Sequence, residues 1–102
     1  MTTLHTVNKS PFEQRSLDAC LGYAKKGGSI LLLEDGIYAA LSNTVLADKI
    51  KKSMENFAFY VLGPDVLARG LSDVNVIEGI KVVDYGGFVD LVTEHDKVQA
   101  WL

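Results

Sequence analysis

At 102 residues and a formal net charge of −3, the chain fits one domain around one hydrophobic core. A single cysteine excludes an internal disulfide framework and any cysteine-rich zinc site. Ten Lys and Arg residues spread among thirteen acidic ones exclude the clustered positive charge that a nucleic-acid surface needs.

Thr2 to Val7 is rich in Thr and Val and reads as a first strand. Ser10-Pro11-Phe12-Glu13 then has the form of a capping box with proline at the first helical position. A helix is expected from there to about Lys26, stopped by Gly27 and Gly28. Ser29 to Leu33 is a continuous apolar run, the pattern of a strand covered on both faces. After the turn residues Glu34-Asp35-Gly36, a short helical turn is expected through Ile37 to Leu41. A helix from about Thr44 to Met54 follows, with Leu46, Ile50 and Met54 on one face.

Phe57 to Leu62 reads as the third strand, and Gly63-Pro64-Asp65 opens a short helix that Gly70 stops. Ile80 to Val83 makes another strand after a loop around Asp73 to Glu78. A last helix starts near Tyr85 with Asp84 as its cap and runs at least to Asp96. Its expected stripe is Phe88, Leu91, Val92 and His95, continuing to Val98 and Trp101. Strands alternating with crossings of ten or more residues imply parallel pairing. The expected fold class is therefore α/β, a layered sandwich with a mainly parallel central sheet, over residues 1–102 as a single domain. In such sheets, the loops at the strand carboxyl ends are the first place to look for a site.

Cys20 is the first candidate for chemistry. Leu17, Cys20, Leu21 and Ala24 fall on one helical stripe, so the thiol faces the core or an interface. No Lys, Arg or His stands three or four residues away to favour a thiolate, and the nearest charge in sequence is Asp18. Packing is the first reading and a chemical role the second. His5, in a strand, and His95, on an apolar helix face, read as hydrogen-bonded structural residues. No spacing of His, Cys and carboxylates suits a metal, and no cofactor is expected.

Glu34-Asp35-Gly36 reads as a turn before it reads as a ligand site. Gly86-Gly87 lacks the accompanying pattern of a nucleotide-binding loop. Lys49, Lys51 and Lys52 read as a solvated helix face. No export leader or membrane-spanning run is visible, so a reducing, cytoplasmic location is expected. Apolar residues make up 48% of the chain, rich for so small a domain, and part of the excess is expected on a subunit interface.

Four segments in order, LHTVNKSPF at Leu4–Phe12, LLLEDGIYAAL at Leu31–Leu41, FYVLGPDVLARGL at Phe59–Leu71 and VVDYGGFVDLVTEHDKVQAW at Val82–Trp101, resemble the DsrH/TusB family of sulfur-relay subunits. The resemblance covers essentially the whole chain and implies a DsrE-like fold. It further implies a cytoplasmic subunit in a heterohexamer with two related sisters, serving a sulfurtransferase complex in which this subunit need not itself be catalytic. Within the family, Cys20 favours the DsrH branch, because TusB-like chains generally lack a cysteine at the matching position. On that branch the sisters are DsrE- and DsrF-like, the sulfur carrier is DsrC-like, and the pathway is intracellular sulfur oxidation with the dissimilatory sulfite reductase run in reverse. The alternatives are a TusB-type role in tRNA 2-thiouridine formation and a purely structural, docking subunit. The resemblance makes Cys20 a candidate secondary persulfide acceptor, attacking the outer sulfur of a donor persulfide. No direct contact with nucleic acid or membrane is implied.

Overall fold

The computed structural model describes residues 2–102. Five strands, β1 (Thr3–Val7), β2 (Ser29–Leu32), β3 (Ala58–Leu62), β4 (Lys81–Val83) and β5 (Lys97–Trp101), form one sheet in the order β4-β3-β2-β1-β5. Every neighbouring pair is parallel. Four α-helices, α1 (Ser16–Tyr23), α2 (Ala47–Ser53), α3 (Gly63–Ala68) and α4 (Tyr85–Glu94), and a 3₁₀ helix over Glu34–Ala40 complete the layers. The α/β sandwich expected from the alternation of elements is the one observed.

The register places His5, Ile30 and Phe59 in one row across the sheet, and Val7, Leu32 and Val61 in the next. Side chains alternate between faces along a strand, so both rows look the same way. That face carries the main core, closed by Leu17 and Cys20 of α1, Ile37, Ala39 and Ala40 of the 3₁₀ helix, and Ala47 and Ile50 of α2. On the opposite face, Leu4 and Leu31 pack with Leu91 of α4, and Phe88, Tyr60 and Val83 lie against them. All four residues of β2 are buried, as its unbroken apolar run requires.

Three elements depart from the sequence expectation. Ser10 caps a single turn: its carbonyl accepts from Glu13 and Gln14, and its hydroxyl accepts from the Phe12 amide. The helix proper begins only at Ser16, with no side-chain cap on its N-terminus, and ends at Tyr23. The helical turn after β2 starts at Glu34 itself, one residue past the strand-end cap. The last helix ends at Glu94, and the residues expected to extend it form β5, parallel to β1. The Thr2 amide donates to Asp96 at 2.8 Å and the Asp96 amide to the Thr2 carbonyl at 3.1 Å, which ties the two strand starts together.

The carboxyl end of the sheet is closed tightly. A Cβ at Gly36 would collide with the carbonyl oxygen of Val7, so only glycine lets the 3₁₀ helix cross the end of β1. Among the described residues no helix is long and apolar enough to cross a membrane.

Candidate functional site

Cys20 sits in the middle of α1 with 0% of its surface exposed, packed in the main core. Burial pushes its thiol up to about 12. At neutral pH, roughly one thiol in 10⁵ is then ionised, and the thiolate is the nucleophile in sulfur transfer. In this conformation the thiol packs as a small apolar group.

Neither histidine hydrogen-bonds to it. The Trp101 indole donates from Nε1 to His5 Nδ1 at 3.0 Å. An indole only donates, so neutral His5 carries its proton on Nε2. Burial and the nearby Lys97 charge both lower the His5 pKa. His95 is the opposite tautomer: Nδ1 donates to the Leu91 carbonyl at 2.7 Å, and Nε2 accepts from the Ser29 hydroxyl at 2.8 Å. It closes the end of α4 and fastens it to the start of β2. Both ring nitrogens of His95 are engaged, whereas His5 is bonded at Nδ1 only.

The acidic turns at the strand carboxyl ends also bond among themselves. Arg69 donates to Asp35 from Nε and Nη2, at 3.1 and 2.9 Å, and to the Asp65 carbonyl from Nη1. The Asp65 carboxylate accepts from the Glu34 amide at 2.6 Å and so holds Glu34 at a φ of 50°, in the left-handed region. The Glu34 carboxylate accepts from Asn8. These groups are occupied in fixing the loops. At Gly86-Gly87, the Gly87 amide is taken by the Asp84 cap at 2.7 Å and does not face an open anion site. Among the described residues no group of His, Cys, Asp and Glu is placed to hold a metal.

A concavity lies at the other edge of the sheet, where β1 and β5 begin and α1 has ended. It is a cleft of about 290 Å³ whose walls include His5, Tyr23, Lys25, Lys26, Lys97 and Gln99. In the sequence this wall is masked because the apolar stripe of the last helix continues to Val98 and Trp101. The alternation Lys97, Val98, Gln99, Ala100, Trp101 was the signal available.

The model for DsrH like protein matches residues 9–98. The chain belongs to the DsrH-like protein family. Protein TusB of Pectobacterium parmentieri is 36% identical over 99 residues, covering 96% of this chain and 99% of the relative. Protein TusB of Yersinia pestis (strain Pestoides F) is 37% identical with the same coverage. Among solved structures, the ychN protein of E. coli superposes with a TM-score of 0.77 at 16% identity, over 98% of this chain and 99% of that one. A protein of unknown function, MTH1491 of Methanobacterium thermoautotrophicum, gives a TM-score of 0.77 at 12% identity, over 96% and 97%. These two show the fold.

The relatives correct the branch. They carry the name TusB along nearly their whole length, which overturns the DsrH-branch assignment and with it the sulfur-oxidation role. The DsrE- and DsrF-like sisters and the DsrC-like carrier fall with that assignment. A buried, un-ionised cysteine is in packing a small hydrophobe that other small apolar residues can replace, and so a poor mark of chemistry or of branch.

Proposed function

We propose that the chain is a TusB-type subunit of a cytoplasmic sulfur-relay complex that serves 2-thiouridine formation in tRNA. It contributes binding surface there, and the persulfide chemistry belongs to its partners. The observation that carries the second half is Cys20, sealed in the core with its thiol held protonated. The near full-length likeness to proteins named TusB supports the first half.

The surface available for assembly is on α4. Phe88 and Leu91 turn inward, whereas Tyr85 and Val89, each 61% exposed, and Val92 form a second, outward stripe. An apolar stripe of that kind on a small domain is the mark of a protein contact. The stripe expected from sequence grouped Val92 with Phe88 and Leu91. In the fold Met54 and Phe88 pack against the two cores, and Val92 is exposed.

Intact-mass measurement of Cys20 alkylation against pH, on the chain alone and mixed with TusB-type sister subunits, tests this reading. No labelling of the native protein near neutral pH in either state is the expected result. Fast labelling within the complex, with a gain of one sulfur atom from a persulfide donor, would restore Cys20 as a persulfide acceptor.

A further inference from the structure

The cleft at the starts of β1 and β5 carries an inference independent of the relay role. Three lysines, Lys25 and Lys26 just past α1 and Lys97 at the start of β5, line it. No acidic side chain is among its walls. The two ion pairs among the described residues use Lys49 with Asp18 and Arg69 with Asp35, and leave these lysines unneutralised. Lysines after a helix offset its negative end, which accounts for Lys25 and Lys26 but not for Lys97 on a separate strand. Like charges gathered on a concave protein wall focus a positive field into it.

The neutral donors fit the same ligand. His5 is 3% exposed and reaches the cleft wall. Because its Nδ1 accepts from Trp101, its N–H is the Nε2 one, the ring nitrogen that Trp101 does not engage. The Gln99 amide adds further donors. Tyr23 supplies a flat apolar wall, held edge-on against Trp101 with ring centroids 5.7 Å apart. A volume of about 290 Å³ is near the lower end for small-molecule sites.

We propose that this cleft binds a small phosphomonoester, its phosphate held by Lys25, Lys26 and Lys97 and its organic part laid against Tyr23. His5 and Gln99 orient the phosphate through neutral hydrogen bonds. The cleft walls off a compact dianion and offers no extended basic track for a polymer.

Titration of the full chain with AMP and with inorganic phosphate, followed by NMR, tests the proposal. AMP is expected to bind saturably and more tightly than phosphate, and Tyr23→Ala to narrow that difference. Lys97 is exposed, so Lys97→Gln folds, and it is expected to weaken AMP binding by about fivefold. Lys51→Gln on α2 is expected to leave binding unchanged. A bound phosphate also raises the depressed His5 pKa, which a diffuse ionic effect would not do selectively. Lack of saturable binding at millimolar AMP, equal losses in Lys51→Gln and Lys97→Gln, or tight binding of single-stranded RNA that AMP does not displace would each overturn it.

Discussion

Trp101 and His5 are 96 residues apart in sequence and share a hydrogen bond of 3.0 Å, from the indole Nε1 to the imidazole Nδ1. The bond joins β5 to β1 on the main-core face, fixes the histidine tautomer and holds the edge strand that walls the cleft. Trp101→Phe keeps most of the ring but removes the donor, leaving a buried acceptor unpaired. A loss of about 1–2 kcal/mol is expected in urea unfolding, together with weaker hydrogen-exchange protection along β5.

The same histidine carries a pH dependence. The folded-state pKa of His5 is lowered, chiefly by burial and then by Lys97, from an ordinary value of 6.5. Below 6.5 the unfolded chain therefore binds a proton that folded His5 resists. Stability from this group is complete above 6.5 and is lost as pH falls from there through the folded-state pKa, where the loss levels off. Thermal melts between pH 8 and pH 5 are expected to show this decline in the native protein and less of it in His5→Gln. An identical slope in both would show that other groups carry it.

Cys20→Ala tests packing without introducing a buried hydroxyl. It removes one buried sulfur from the main core and is expected to cost about 1 kcal/mol. Cys20→Ser adds the desolvation of an unpaired hydroxyl and is expected to cost more, about 1–3 kcal/mol. If the thiol does no chemistry, sulfur flow through the reconstituted complex survives in Cys20→Ala whatever its melting temperature. Abolished flow in a folded, assembled Cys20→Ala protein would refute the surface-only role.

Val89 lies on the outward stripe of α4, away from Phe88 and Leu91. Val89→Asp is expected to change the stability of the isolated chain by no more than about 0.5–1 kcal/mol. It is also expected to prevent co-elution with sister subunits in size-exclusion chromatography, because a charge would be buried in an apolar contact. Normal assembly of Val89→Asp would place the interface elsewhere.

Gly36 gives the largest stability prediction. An added methyl would meet the Val7 carbonyl oxygen, a backbone atom that cannot rotate away. Gly36→Ala is expected to cost more than about 3 kcal/mol, measured as the fall in denaturation midpoint. Gly70→Ala tests a separate cause: its φ is 74° but the surrounding space is open, so only backbone strain remains and the expected loss is about 1 kcal/mol.

The sequence by itself determined the layers. The unbroken run Ser29 to Leu32, the capped start at Asp84 and the stop at Gly70 stand where local chemistry put them. Each depends on neighbours along the chain or on apolar content alone. The inward stripe Leu17 and Cys20 was legible for the same reason. The tertiary structure decided what pairs with what. Ser10 has the residues of a helix cap and serves a lone turn instead, because the chain must leave β1 before α1 can lie on the sheet. Lys97 to Trp101 satisfies both a helical stripe and a strand alternation. The free edge of β1 and the His95 bond to Ser29 made it a strand. Whether Cys20 is a reagent or a filler was undecided in sequence, since the same helical stripe serves a core and a recessed site. Desolvation raises a thiol's pKa, and desolvation depends on everything packed around it.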